Sequence, residues 1–309
     1  MTYVMLIAGL ALLLLGGEFL VRGGVSLAGH FRLSPMVVGL TVVSLGTSSP
    51  ELVVSLNAAL EGYPDISIGN VIGSNISNMG VVLALTVIIS PFVVKRKEII
   101  DDMIIMAGTG VVLFIFLIDM RLSQIEGIIL VVLLVAYIYR SVRNDKKEYI
   151  DSEPELRYSL ALSIVIIIIS CLGLAAGANM LVKSASTIAS MMGISDRIIS
   201  VSIIAVGTSL PEMTTSVIAG IRKENGLSIG NIVGSNIFNI LAILGITASV
   251  KPFSINDSNF KSDIYWMMGI IIALILMIIP SAKSSMRRWK GIFLALVYLS
   301  YIYIVFFTT

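Results

Sequence analysis

The sequence predicts an all-α polytopic membrane protein, with ten transmembrane helices arranged as two inverted five-helix repeats. Three observations carry this expectation. Of 309 residues, 57% are hydrophobic and 13% charged, and the mean hydropathy is +0.99, far too apolar for a water-soluble domain. The apolar residues gather into runs close to the roughly 20 needed to cross a bilayer. One short segment occurs twice, as Gly46-Thr-Ser-Ser-Pro-Glu51 and as Gly207-Thr-Ser-Leu-Pro-Glu212, each time inside such a run.

In chain order the predicted spans cover about 3–28, 34–60, 67–91, 100–119, 124–140, 159–187, 194–220, 227–250, 262–281 and 290–307. No basic stretch precedes the first apolar run, so the first span reads as a retained helix and not a cleaved leader. Spans 34–60 and 194–220 each hold an internal proline, and both are expected to break at the duplicated segment. The one long polar linker, 141–158, divides the chain into a first repeat, 1–140, and a second, 159–309. Fifteen of the 21 Lys and Arg residues fall in the odd-numbered loops and five on the other side. The excess places both termini outside and the linker in the cytoplasm. Lys95-Arg96-Lys97 and Arg287-Arg288 read as determinants of that topology. Arg22 and Lys183 read as side chains snorkelling to an interface. Asp119, Asp196, Asp257 and Asp263 are expected in solvated loops.

The two halves align without a gap at an offset of 161, pairing Arg22 with Lys183, Glu51 with Glu212, Gly69 with Gly230, Ser74 with Ser235 and Asn78 with Asn239. Ser67–Asn78 matches Ser228–Asn239 at nine of twelve positions. These identities are mostly Gly, Ser and Asn, whereas chance similarity between apolar runs would favour Leu, Ile and Val. Five helices per half is an odd number, so the halves must cross the membrane in opposite directions.

The duplicated segment carries the chemistry. Pro50 and Pro211 lack an N–H and clash with the carbonyl four residues back, at Gly46 and Gly207. The carbonyls from Ser44 to Thr47 and from Ala205 to Thr208 are therefore expected to lose their helical partners. In lipid each would cost several kcal/mol unless it faced a cavity, an ion or another donor. Glu51 and Glu212 follow the prolines, where the dipole of the next helix favours a carboxylate. Thr47, Ser48, Thr208 and Ser209 add hydroxyls one turn earlier. Asn70, Ser74 and Asn78 are spaced i, i+4, i+8, as are Asn231, Ser235 and Asn239, so each set lies on one helical face. Asn70 and Asn231 are read either as ion contacts or as braces for the broken helices. Gly69/Gly73 and Gly230/Gly234 permit close helix approach beside that face.

A lone Gly-x-x-x-Pro is often only a packing kink, and Ser or Asn in a membrane helix is often interhelical glue. A neighbouring Glu duplicated at fixed offset favours a site, because an ionisable group at membrane depth is costly. Every convergent atom is oxygen, which suits hard cations; Ca²⁺ takes about 6–8 such ligands. Softer metals would want His or Cys, and the chain has one of each, His30 and Cys171. Cys171 reads as a buried thiol. Two carboxylates are neutralised by one Ca²⁺ or two Na⁺. Adding both would bring like charges together at a cost of about 4 kcal/mol even at an effective dielectric of 20. The net charge of +2 gives no argument for nucleic acid.

At these residues the chain resembles the cation/calcium exchanger superfamily, in particular the prokaryotic sodium/calcium exchangers. The resemblance covers the whole chain, through the paired Gly-Thr-Ser-x-Pro-Glu and Gly-Ser-Asn-Ile motifs. It implies an antiporter, not an enzyme, that exchanges Ca²⁺ for Na⁺ by alternating access, with no cofactor. The first and sixth helices would slide as a pair over a core of the other eight. Glu51, Glu212, Thr47 and Thr208 would bind Ca²⁺. Ser48, Ser74, Ser209 and Ser235, with carbonyls near Ser44 and Ala205, would complete flanking Na⁺ sites. Asn78 and Asn239 would stand at the centre, where potassium-dependent relatives carry Asp. Proton-coupled relatives carry Glu at the positions of Gly73 and Gly234. A functional monomer in the plasma or inner membrane is expected. A Ca²⁺/H⁺ antiporter is the alternative, with a cation channel behind it.

Overall fold

Long apolar runs free of internal proline fold here into long helices, and Pro35, Pro50, Pro64 and Pro211 fall in the first turns of helices, where the missing N–H costs nothing. The computed structural model describes residues 1–148, 157–193, 205–255, 260–278 and 283–307. In order these form α1 (Thr2–Phe31), α2 (Pro35–Thr47), α3 (Ser49–Leu60) and α4 (Pro64–Ile89). There follow β1 (Phe92–Lys95), α5 (Arg96–Phe116), β2 (Arg121–Leu122), α6 (Gln124–Glu148) and α7 (Leu160–Met191). The rest are α8 (Ala205–Gly207), α9 (Leu210–Ile221), α10 (Asn225–Val250), β3 (Phe253–Ser254), α11 (Phe260–Ile278), β4 (Lys283–Met286) and α12 (Arg288–Phe307). Among the described residues eight helices are long and apolar enough to cross a membrane, or nine if α2 and α3, bent by 46° at their junction, count as one span. The protein is an integral membrane protein of mostly helical fold. Positions 149–156 of the linker, residues 194–204 of the seventh predicted span, Asp196 and Asp257 lie outside the described residues.

Two short antiparallel ribbons interrupt the helical expectation. β1 pairs with β4, Phe92 opposite Met286 and Lys95 opposite Lys283, and β2 pairs with β3, Arg121 opposite Ser254. The loops that looked like plain connectors satisfy their backbone groups against each other. Phe92 and Phe253, which begin β1 and β3, stand at the repeat offset.

Helix ends repeat in the same way. Left-handed residues close helices at Arg32 (φ 53°) and Gly193 (φ 79°), and again at Gly62 (φ 88°) and Lys223 (φ 64°), both pairs being 161 apart. At the second pair the closing bond is also shared: Tyr63 N–H donates to Ala58 O at 2.8 Å and Glu224 N–H to Ala219 O at 2.9 Å.

α4 and α10 form the centre. Of the most apolar stretch in each, 72% and 94% is buried, against 11–33% in the other long helices, whose outer faces suit lipid. α10 lies backbone-to-backbone on α2. A Cβ at Gly234 would come within 2.6 Å of Leu40 O and 2.7 Å of Ser44 Oγ, and one at Gly39 within 2.6 Å of Leu227 O. Small residues at these crossings are what let α2 approach the central α10 so closely.

α1 and α7 run antiparallel along a seam of small residues repeating every seven positions: Gly9, Gly16 and Gly23 against Gly177, Ser170 and Ser163. At one end Ser163 Oγ donates to Ser26 Oγ at 3.0 Å, Tyr158 N–H donates to Ser26 Oγ at 3.2 Å, and His30 Nε2 lies 2.7 Å from Tyr158 O. Arg22, read from the sequence as a snorkelling side chain, pairs with an acid on its own helix. Its Nε donates to Glu18 Oε1 at 2.6 Å, one helical turn away, and the same carboxylate is held from α9's end by both Nε and Nη2 of Arg222. Cys171, expected as buried, is partly exposed, with Sγ against the α-carbon of Gly46. Asp263 sits in the first turn of α11, and Tyr301 Oη donates to it at 3.2 Å.

Gly177→Ala forces a methyl to within 2.9 Å of Gly9 O, whereas Gly269→Ala on α11 meets nothing within 4 Å. Thermal unfolding in detergent is expected to show the first destabilised by about 1–3 kcal/mol and the second unchanged or slightly stabilised. Equal melting temperatures would remove the seam as a stabilising element.

Candidate functional site

The site begins at two breaks. Ser48 (φ −85°, ψ 5°) and Ser209 (φ −84°, ψ 5°) have nearly identical backbones, and each precedes a helix with proline in its first turn. Glu51 and Glu212 therefore occupy the first turns of α3 and α9, where free N–H groups and the helix dipole favour negative charge. Both side chains are 1% exposed.

The break frees fewer carbonyls than the sequence suggested. Ser44 O still accepts from Ser48 N–H at 2.9 Å and from Thr47 Oγ1 at 3.3 Å. Leu45 O takes the Ser49 hydroxyl at 2.7 Å, and Val206 O takes Ser209 N–H at 3.2 Å. Proline removes the N–H that would serve Gly46 O or Gly207 O, and the carbonyls of Ser44, Leu45 and Val206 keep partners through a retained turn, a hydroxyl and a tightened turn. Ala205 opens the short turn α8 ahead of the second break.

Asparagines brace the half-helices. Asn70 Nδ2 donates to Glu51 O at 3.3 Å and to Ser55 Oγ at 2.9 Å. Asn231 Nδ2 does the same to Glu212 O at 3.4 Å and Ser216 Oγ at 2.9 Å. These bonds give both residues the bracing contacts that were one of their two sequence readings. Asn231 has one further bond, accepting from Thr47 Oγ1 at 3.1 Å, which ties the second break to the first. A direct link between the halves is Ser48 Oγ donating to Glu212 Oε1 at 2.9 Å.

Asn78 and Asn239 each start a widened, π-helical turn, Asn78–Leu83 and Asn239–Leu244, inside α4 and α10. Such turns re-aim side chains and gather at functional sites. Nothing in the sequence foretold them, since an extra residue per turn leaves no compositional mark. The packing is crossed: α3, with Glu51, lies against the turn that begins at Asn239, and α9, with Glu212, against the turn that begins at Asn78.

Among the buried oxygens on these elements without a hydrogen-bond partner among the described residues are Glu51 Oε2, Glu212 Oε2, Asn78 Oδ1, Asn239 Oδ1, Ser209 Oγ and Ser235 Oγ; Ser67, Ser77, Thr215, Asn236 and Thr247 carry others. Ser44, Thr47, Ser48 and Ser74 are buried beside them, and Thr208 is partly buried. Leaving a buried acceptor unmet costs about 1–3 kcal/mol, more for a charged one. Hard cations are partners of the kind that carboxylate, amide and hydroxyl oxygens accept. Among the described residues no group of three or more His, Cys, Asp and Glu could hold a metal, so the charge available is that of two carboxylates amid neutral oxygens.

Asn231→Ala removes three side-chain bonds and Asn70→Ala two. At about 1 kcal/mol per bond, denaturant unfolding in mixed micelles is expected to show Asn231→Ala the more destabilised by about 1 kcal/mol. The reverse order would disconnect Thr47 from the brace.

Comparison with known proteins follows the same outline. A family model described as sodium/calcium exchanger protein matches residues 1–143 and 162–307. The uncharacterised membrane protein MJ0091 of Methanocaldococcus jannaschii is 35% identical over 292 residues, covering 93% of either chain. The sodium/calcium exchanger MaX1 of Methanosarcina acetivorans is 29% identical over 352 residues, covering 99% of this chain and 98% of its own. Among solved structures, the sodium-calcium exchanger NCX_Mj soaked with zero Na⁺ and Ca²⁺ matches with a TM-score of 0.85 at 32% identity, covering 98% of each chain.

Proposed function

The chain belongs to the sodium/calcium exchanger protein family, and from that premise we propose that it exchanges Ca²⁺ for Na⁺ by alternating access at a single site. That site is built from Glu51, Glu212, Thr47, Thr208, Ser48, Ser209, Ser74, Ser235, Asn78 and Asn239, with backbone carbonyls at Ser44 and Ala205. The observation that carries this reading is that each buried glutamate keeps an unpartnered Oε2, on elements that also carry the unpartnered oxygens of Asn78, Asn239, Ser209 and Ser235. Two carboxylates and neutral oxygens accept one Ca²⁺ or two Na⁺ and disfavour both together, which is the exclusion an antiporter needs.

In this reading ten spans form two inverted repeats, 1–140 and 159–309, joined by a cytoplasmic 141–158 linker, with both termini outside. Spans two and seven are the broken helices. The matched torsions 161 residues apart support the repeat, and the 46° bend between α2 and α3 supports the first break. The moving pair is α1 with α7. The protein works as a monomer and exports Ca²⁺ on the inward sodium gradient.

Buried, unpartnered carboxylates can also take protons, which gives a second reading as a Ca²⁺/H⁺ antiporter. Gly234 weighs against it. Proton-coupled relatives carry Glu there, but here even a Cβ would strike Leu40 O and Ser44 Oγ.

Flux of ⁴⁵Ca²⁺ into proteoliposomes under imposed Na⁺, K⁺ and H⁺ gradients in turn separates the readings. The expected result is uptake driven by Na⁺ alone. Uptake driven by a pH gradient without Na⁺ would transfer the assignment to the second reading. Glu51→Gln and Glu212→Gln are each expected to abolish Na⁺-driven Ca²⁺ flux with the fold retained, and wild-type flux in either variant would refute the site.

A further inference from the structure

Primary amides present either an oxygen or an N–H₂ group to a cation, and only the oxygen binds it. Asn239 is 1% exposed, so water does not decide which end it shows. Its Nδ2 donates to Asn75 Oδ1 at 2.9 Å, across the α4–α10 contact, and this leaves Asn239 Oδ1 as the unpartnered end. Asn75 is itself pinned. Its Nδ2 donates to the backbone carbonyl of Asn236 at 3.2 Å and faces Met267 Sδ at 3.6 Å. A carbonyl accepts and cannot donate, so Asn75 cannot turn over without losing that bond and setting two N–H₂ groups against each other. The orientation of Asn239 is thus fixed in two steps from a backbone atom.

The repeat supplies an internal comparison. Asn236 stands where Asn75 stands in the other half, yet its Nδ2 turns back to Ile232 O at 2.7 Å on its own helix, and its Oδ1 has no partner among the described residues. The Gly-Ser-Asn-Ile sequence is the same in both halves, but Asn75 alone reaches across to the other half's central asparagine.

We propose that Asn75 is a positioning residue for ion binding: it holds the Asn239 amide so that Oδ1, and not the N–H₂ group, faces the bound cation. This rests on the reading above that Asn239 contacts the ion. The structure makes the two central asparagines unequal, with Asn239 locked as an acceptor by its neighbour.

The test is equilibrium binding of ⁴⁵Ca²⁺ to the full-length protein in detergent, with Asn75→Leu in the wild-type background and in an Asn239→Asp background. A carboxylate shows oxygen at both ends and needs no orienting. Asn75→Leu is expected to weaken Ca²⁺ binding about tenfold or more in the Asn239 protein, the scale of one hydrogen bond to a charged group, and by about threefold or less in Asn239→Asp. Unchanged affinity in the Asn239 protein overturns the proposal. So does an equal loss in both backgrounds, which is what a merely structural asparagine would give. Asn75→Ala is taken through the same cycle, so the comparison does not hang on the folding of one variant. Asn239→Ala separates the premise from the inference. If it leaves Ca²⁺ affinity unchanged, Asn239 is not a ligand and the site reading fails at that position. If it weakens binding while Asn75→Leu does not, the orienting role alone is lost.

Discussion

Two carboxylates lie in an apolar interior with one hydroxyl donor on one of them, and the architecture answers to that burden. The idealised cost of burying such a charge is many kcal/mol, and even the relaxed cost is several. Each helix N-terminus offsets about 0.3–2 kcal/mol of it, and the Ser48 hydroxyl contributes about one to three more. The breaks before Pro50 and Pro211 aim two helix starts at the carboxylates, Asn70 and Asn231 hold those starts in place, and the widened turns bring Asn78 and Asn239 alongside.

Much of this was legible in the letters. Apolar run length anticipated the eight long apolar helices among the described residues, because lipid leaves the backbone few options besides helix. The duplicated Gly-Thr-Ser-x-Pro-Glu pointed to the 46° bend between α2 and α3 and to both buried acids. What escaped depended on partners distant in sequence. Arg22 read as a snorkelling cation because Arg222, 200 positions on, gave no hint that both would share Glu18. Asn70 and Asn231 were ambiguous until Ser55 and Ser216 stood beside them. Ser44 O read as vacant because the proline was charged with freeing a whole turn when it removes a single donor. The ribbons escaped because two- and four-residue strands carry no periodic signal.

The seam between α1 and α7 differs in kind from the surfaces around it. Within the pair, backbone meets backbone: a Cβ at Gly9 would strike Gly177 O and Leu181 N. Against the rest of the molecule the same helices meet the tips of side chains, Gly17 against Ile218 Cδ1 and Thr214 Cγ2, and Gly46 and Gly207 against Cys171 Sγ and Val182 Cγ2. Methyl and thiol ends can rotate aside, whereas a peptide plane cannot. This contrast marks where a rigid pair ends and a yielding surface begins, and it fits the proposed slide of α1 with α7. The Arg222–Glu18 pair crosses that boundary, so it would have to open and close with any such movement.

The left-handed helix ends point beyond this molecule. Arg32 matches Gly193, and Lys223 matches Gly62: in each half one turn uses glycine and the other a long cation, with the same sign of φ. Scored by letters, all four positions are mismatches; scored by torsion angle, they are agreements. Once copied, a stretch of chain has freedom to drift in the side chain at a turn while the direction of the turn stays put. Ancestry in doubled membrane proteins is therefore better sought in where the backbone bends than in which residue bends it.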